Sequence, residues 1–534
     1  VSLHHPSSRT TAREPHRPAA TRPGPGTGPA EQPEAAGGRA RLLVLLAALP
    51  PALLALARCL DGLGARQMWR DEHASWWAAT LKFEDFRALL SNIDAVLAPY
   101  YMLLRVWIPV AGDSPAALRV PSAVAMAAAA ATVALLGRRL AAGPDRPHDG
   151  LAATLIGLGS GVGFALLPTV TRYGQEARPY AFAVFLAALS TLLLLRALER
   201  PSVFRWGFYA ASVTLIGAAH LVAMLVLGGH LLAVVFHWRR ERDRVLTGWA
   251  AATAAGVATI APLILRGNGQ SKQIAWINTT SSDLTNLPKE LFGSWTTAAV
   301  LIALAVIGLY PARRHAPLLL GWILLPPVLT FATASSLHLF LERYLLFTMA
   351  PYLLLAAAAV GWALTPLCRG TGGRVGAGVL AVAMTAGLAV LIQPSMAAAR
   401  SNPVAEPDYR GVADLLAAQA KPGDAMVFNS QLNARRALAY ELRSRPAPFD
   451  VMLKYYPEDL GKFQGVECDD PSECARYANH VWLVSTAYGP NPFGQMAAPV
   501  RAVLEHEFKV VRTQELNKVK LVELERTQPS RSKS

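Results

Sequence analysis

The sequence predicts an all-α polytopic membrane domain followed by a small soluble α/β domain. Of 534 residues, 53% are hydrophobic and only 16% charged, and mean hydropathy is +0.29. Neither a disordered polymer nor an ordinary soluble enzyme has that composition. Apolar runs long enough to cross a hydrocarbon core of roughly 30 Å recur from Leu42 to Gln393. No such run follows Gln393, where short helix and strand patterns alternate instead. The expected divisions are 1–38, a disordered cytoplasmic tail; 39–393, the membrane domain; and 394–534, an extracytoplasmic soluble domain.

The tail is rich in Pro, Arg, Ala and Gly and too poor in aliphatic residues to form a core. Ala55-Leu56-Ala57 imitates a signal-peptidase site, yet the stretch before it far exceeds a usual n-region, so an uncleaved first span is expected. The predicted spans are 42–60, 115–136, 151–170, 179–195, 203–219, 221–237, 246–265, 292–309, 317–336, 341–364 and 375–393. The stretch 98–110 is apolar but short, and it contains Arg105.

Charge places that stretch. The net charge of +15 is spread through loops rather than gathered on one face, which fits positive-inside bias and not nucleic-acid binding. With a cytoplasmic N-terminus and 98–110 lying in the outer interface, the loops carrying Arg138, Arg139 and Arg146, then 196–205, 237–244, 313–315 and 369–374, all fall inside. Were 98–110 to cross, each would move outside. The outer segments are then 61–114, 171–178, the vicinity of His220, 266–291 and 337–342, followed by the soluble domain. Residues 74–90 carry Trp76, Trp77, Phe83 and Phe86 among charges, the pattern of a helix on a membrane surface.

In the soluble domain, 409–419 and 499–507 read as helices, 425–428 and 480–484 as strands, Pro422-Gly423-Asp424 as a turn, and 508–525 as a hairpin. Cys468 and Cys474 both fall there, on the side where disulfides persist, and are expected to pair; two unpaired thiols is the alternative. Cys59 and Cys368 sit in or beside spans and read as packing residues.

Four groups of polar residues stand at outer span ends. Trp69-Arg70-Asp71-Glu72-His73 places adjacent acids just beyond the first span, either as solvated surface or, given their position, as a general base for a membrane-borne substrate. Arg172-Tyr173-Gly174-Gln175-Glu176-Ala177-Arg178-Pro179-Tyr180 is dense in charge for a membrane-edge turn; Glu176 there either ties helices to an Arg or belongs to a site. His220 is a buried, hydrogen-bonded histidine or a ligand contact. Arg343, with Tyr344 beside it, either snorkels or meets a phosphate.

These residues carry a resemblance. An Asp-Glu pair in the first outer loop of a many-span chain is the signature of the GT-C glycosyltransferases, the fold of protein O-mannosyltransferases and lipid A aminoarabinose transferases. Trp69-Arg70-Asp71-Glu72, Asp94-Ala95-Val96 with Tyr100-Tyr101, Leu118-Arg119-Val120-Pro121-Ser122 and Gln175-Glu176-Ala177-Arg178-Pro179-Tyr180-Ala181 resemble the actinobacterial family-39-like mannosyltransferases over residues 40–360. Those proteins commonly carry a His shortly before the paired tyrosines, and this chain has none there.

The resemblance implies transfer of a sugar, mannose first and a pentose such as arabinose second, from a polyprenyl-phosphate carrier to a hydroxyl of a glycan, glycolipid or protein. Asp71 would be the base and Glu72 an orienting or acceptor-binding acid. Arg343 or Arg178 would neutralise the departing phosphate, with Glu176, Gln175, Tyr100, His220 and Tyr344 as substrate contacts. A phosphate monoester leaves without a metal, so neither metal nor cofactor is expected. A transporter and an assembly role are the rivals from other classes. The first lacks a detectable internal repeat and has its charges at one face rather than mid-membrane.

Overall fold

The structure, a computed structural model, describes residues 33–142, 150–241, 244–368, 370–401, 406–429, 433–486 and 489–527. Residues 1–32 of the expected tail, and Arg146 and Arg369 of two expected loops, lie outside them. Residues 1–42 and 43–534 form two separate units; the second holds the sheet and every site residue.

Among the described residues, seven helices are long and apolar enough to cross a membrane: Ala40–Leu60, Pro115–Leu140, Tyr180–Glu199, Leu221–Arg240, Val245–Gly269, Leu346–Leu367 and Gly370–Ala398. Two bent pairs, Leu151–Leu166 with Pro168–Gly174 (63°) and Ser281–Phe292 with Trp295–Gly308 (87°), raise the total to nine. The shorter apolar helices Val203–Ala219 and Ala316–Ala332 stand at the two remaining positions expected for spans. Apolar helices thus stand at all eleven expected positions, and a third shorter one, Ala95–Ala111, covers the stretch expected in the outer interface.

They differ in continuity. The run 151–170 is broken at Leu167, after which Pro168 starts a new helix, a position where its missing N–H costs nothing. The run 341–364 begins with 3-10 turns, so its long helix starts only at Met349. Small residues set the packing distance between Pro115–Leu140 and Leu151–Leu166. At Gly157 a Cβ would stand 2.5 Å from the Ala134 carbonyl oxygen, so only glycine permits that approach.

Residues 74–90 do not form one surface helix. They divide at Leu81-Lys82 between Arg70–Thr80 and Phe83–Asn92. The first is mostly buried, because Trp76, Ala78 and Ala79 join a core with Tyr100, Tyr101, Leu118 and Tyr440. The helix Ala98–Ala111 lies against it and returns Arg105 Nη1 to the Leu81 carbonyl at 2.6 Å.

The C-terminal region is a five-stranded sheet with flanking helices. Its strands are β1 (Ala425–Phe428), β2 (Phe449–Asp450), β3 (Leu453–Tyr455), β4 (Val466–Glu467), β5 (His480–Ser485), β6 (Phe508–Leu516) and β7 (Val519–Arg526). The large sheet runs β2-β1-β5-β7-β6, and β3 pairs with β4 alone. β1 is parallel to β2 and β5, while the closing hairpin is antiparallel. β1 is buried along its whole length, as a strand covered on both faces must be. Helices Tyr409–Gln419 and Ala498–Glu507 stand where expected, and Cys468 and Cys474 form a disulfide. The helix Ala434–Glu441 was not expected.

That helix joins the region to the membrane-domain loops. Tyr440 stacks on His73 and Trp76 with centroids at 5.6 and 5.0 Å, and its hydroxyl donates to the Asp113 carbonyl at 2.9 Å. Arg443 forks onto the Asp113 carboxylate at 2.7 and 3.2 Å. Gly461, at φ +58°, lies so close to the helix Phe83–Asn92 that a Cβ would meet the Ala88 carbonyl carbon at 2.7 Å, so this contact requires glycine.

Candidate active site

The two acids stand in the first turn of the helix Arg70–Thr80, not in an extended loop. Consecutive helical residues project about 100° apart, and the two carboxylates meet different surroundings. Glu72 is fully buried. Arg119 donates to it from Nε and Nη2, both at 2.7 Å, and the Ala177 amide donates at 2.8 Å. The Trp69 amide adds a longer bond at 3.3 Å. Arg119 is completed by the carbonyls of Leu63 and Arg66 at 2.8 and 2.9 Å. Burial alone would raise the Glu72 carboxyl; the Arg119 charge and these bonds outweigh it and hold the group below its ordinary value. Such a carboxylate is saturated. It fixes the start of its helix against the helix carrying Arg119 and the turn carrying Ala177, which suits the orienting role over proton transfer.

Asp71 faces an opening. Its side chain is one-quarter exposed, with Arg343 Nη2 3.9 Å from its Oδ2. Arg178 comes from the other side: its Nη1 donates to Ser75 Oγ at 3.2 Å and reaches the Asp71 carbonyl at 3.4 Å. The Nε atoms of both arginines are buried without a partner among the described residues. Two guanidiniums with unused donors beside a carboxylate can hold a phosphate while the carboxylate takes a proton. Among the described residues no three His, Cys, Asp or Glu side chains are grouped to hold a metal ion.

His220 and Tyr344 close this cluster, with ring centroids 4.6 Å apart, and Tyr180 touches both at 5.8 and 6.1 Å. Arg343 lies over Trp69 and Tyr344 at 5.5 and 5.8 Å. Burial, reinforced by the Arg178 and Arg343 charges, pushes His220 down to about 3, so the imidazole is neutral. Its Nδ1 is buried with no partner among the described residues.

The remaining expected contacts are less open. Gln175 donates to the carbonyls of Cys59 and Asp61 at 3.0 and 2.7 Å, tying the first span to this turn. Glu176 is buried with Arg172 Nε 3.8 Å away, and its Oε2 has no partner among the described residues. Burial and the nearby Glu72 charge push it up to about 7. Tyr100 is buried against Phe182, centroids 6.1 Å apart.

Three participants were not assigned from the sequence. Arg119 sits within the resembling motif, yet its role is visible only once Glu72 is seen against it. Asp94 opens the Asp94-Ala95-Val96 stretch ahead of the paired tyrosines, and no role was given to it. It accepts the Tyr101 hydroxyl at 2.7 Å. Burial raises its carboxyl above the ordinary value against that bond. Arg436 comes from the unexpected helix Ala434–Glu441; burial lowers it, opposed by Tyr101, Asp94 and Asp71. A short amphipathic pattern with Arg435-Arg436 was its only signal.

Two solved structures share this arrangement of helices and sheet. ArnT from Cupriavidus metallidurans bound to undecaprenyl phosphate matches with TM-score 0.58 and 14% identity, covering 89% of this chain and 97% of that one. Its apo state matches with TM-score 0.55 and 14% identity, covering 92% and 98%. The fold is that of ArnT. It is the GT-C fold, an assembly of apolar helices with a small C-terminal sheet domain. No family model matches the chain, and no curated protein does. At this identity the ArnT likeness carries the fold and leaves the chemistry to the residues.

Proposed function

We propose that this chain is an integral membrane glycosyltransferase that moves a sugar from a polyprenyl-phosphate carrier to an acceptor hydroxyl, with mannose as the donor sugar and a pentose as the runner-up. The observation that carries this reading is Asp71, part-exposed, with Arg343 at 3.9 Å and Arg178 adjoining, in a fold whose solved neighbour is bound to undecaprenyl phosphate. The mannose assignment rests on the sequence resemblance alone.

In this mechanism the acceptor oxygen bonds to the anomeric carbon as its proton passes to Asp71. The bond from that carbon to the phosphate oxygen breaks, and its electron pair leaves with the phosphate, beside Arg343 and Arg178. Neutral His220 and Tyr344 lie beside Arg343 on the phosphate side, and Tyr100, Gln175 and Glu176 are the further substrate contacts assigned in this reading. Departure as a phosphate monoester requires no metal. Glu72 holds the Asp71 helix turn in register through Arg119.

The loop-charge argument supports an N-terminus and Arg138 on the cytoplasmic side, with Asp71, His220 and residues 394–534 outside, in the cell membrane. On this reading 39–393 is the catalytic domain and 394–534 covers its outer mouth, sending in Arg436. The acceptor is a glycan, glycolipid or protein hydroxyl. Incubating membranes with radiolabelled polyprenyl-phosphate sugars, one at a time, tests the reading: label entering a product identifies donor and acceptor class together. No transfer from any donor would contradict it and favour a transporter.

A further inference from the structure

A charged cavity lies at the other end of the helix that carries Arg119. Arg119 and Arg138 are separated along Pro115–Leu140 by 19 residues, about 28 Å at the helical rise, close to the thickness of a bilayer core. Around Arg138 is a cavity of about 530 Å³, lined by Arg139, Arg196, Glu199, Arg200 and Arg205 as well.

Five arginines and a single acid, Glu199, line it, and Arg138 has further partners of its own. Arg139 uses the acid, with Nε donating to Glu199 Oε1 at 2.7 Å and a second ion-pair contact to Oε2. Arg138 is turned toward Thr154, Nε to Oγ1 3.3 Å. Arg205 Nη1 donates to the carbonyls of Arg196 and Arg200 at 2.9 and 3.0 Å, the exposed acceptors at the end of Tyr180–Glu199. The Arg196 and Arg200 side chains have no hydrogen bond or ion pair among the described residues. Like charges crowded in this way repel unless an anion joins them.

The cavity is not uniformly polar. Leu193 and Phe208 line it, and Phe208, Phe204 and Val203 are 66%, 80% and 86% exposed. A phosphate among the arginines would thus have apolar surface beside it on which acyl chains can lie. Ordinary positive-inside bias puts basic residues in loops; here three chain segments bring them to one concavity. Basic pockets between membrane helices suit phosphate headgroups, and arginine's fork suits phosphate oxygens.

We propose that this cavity binds the phosphodiester headgroup of an anionic phospholipid, separately from the Asp71 site and independently of the reaction assigned to it. The full chain, purified in detergent, is titrated with phosphatidylglycerol, phosphatidylcholine or soluble glycerol phosphate, and bound adducts are counted by native mass spectrometry. Phosphatidylglycerol should be retained at least tenfold better than phosphatidylcholine. Arg196→Gln/Arg200→Gln should remove that preference, whereas Arg374→Gln, on the helix Gly370–Ala398, should keep it. Each variant's thermal midpoint without lipid is measured, and Arg200→Gln alone replaces the double variant if the latter does not fold. Competition by glycerol phosphate at equal concentration would identify a free phosphate compound as the ligand and overturn the lipid assignment. Equal retention of the two lipids, or unchanged retention in the Arg196/Arg200 variants, would overturn the site altogether.

Discussion

His230 and His220 both belong to the packed helices, yet their surroundings are opposite. His230 is fully buried, with Thr191 Oγ1 3.0 Å from Nε2 and the Tyr209 hydroxyl 3.0 Å from Nδ1. Trp249 Nε1 then donates to Tyr209 at 2.9 Å. Every polar atom of that small network has a protein partner, as a structural histidine between apolar helices requires. His220 Nδ1 has no such partner and lies near two arginines, Arg178 and Arg343, whose Nε atoms are likewise unused among the described residues. Glu72 and Asp71 repeat the contrast one residue apart. Burial alone does not mark the candidate site, and neither does one unspent group, since Trp322 and Arg435 also carry one; several such groups beside a part-exposed carboxylate set it apart.

If that contrast separates chemistry from architecture, the largest effect falls on Asp71. Asp71→Asn keeps the shape but cannot take the proton, so the transfer rate should drop by roughly 10²–10⁴-fold while the thermal midpoint stays at the wild-type value. Arg119→Ala should do the reverse. It strands the Glu72 charge in the interior, and breaking a buried pair costs about 3–5 kcal/mol, to be read from denaturant unfolding in detergent. An Arg119→Ala protein as stable as wild type would break the comparison.

Glu176 sharpens it through pH. The folded carboxyl keeps its proton up to about 7, whereas its ordinary value is 4.5. Between those values the folded state binds more protons than the unfolded state, so stability should fall as pH rises through that window and level off above it. Glu176→Gln should remove this slope, leaving the variant more stable than wild type above pH 7 by at most about 3 kcal/mol. Thermal midpoints measured from pH 5 to 8 check the sign. The smallest effect is expected at Arg436, where Ala should raise the acceptor KM by roughly threefold with little change in kcat.

The spans were readable because hydropathy over a bilayer's thickness is a strong signal; Val203–Ala219 coincides with its expected range. The 63° break at Leu167 was not, since both sides of it are apolar and Pro168 also starts ordinary helices. β1, the helix Tyr409–Gln419 and the closing hairpin announced themselves by a short apolar run after a turn, amphipathic spacing and turn residues. The helix Ala434–Glu441 spans only about two turns, so its amphipathic pattern is weak, although it carries Arg436 and Tyr440 toward the candidate site. Asp71, Arg178, Arg343 and His220 could be named from charge at span ends. Which of two adjacent acids stays open could not, because that depends on Arg119, 47 positions away in the chain.

The account's central claim is that the open cluster holds a polyprenyl phosphate. It is tested most directly by adding undecaprenyl phosphate to purified wild type, Asp71→Asn and Arg343→Ala and following the thermal midpoint. The lipid should stabilise wild type and Asp71→Asn alike, since binding to the folded state raises its stability, and should leave Arg343→Ala nearly unmoved. Equal stabilisation of Arg343→Ala, or none in wild type, would contradict the claim.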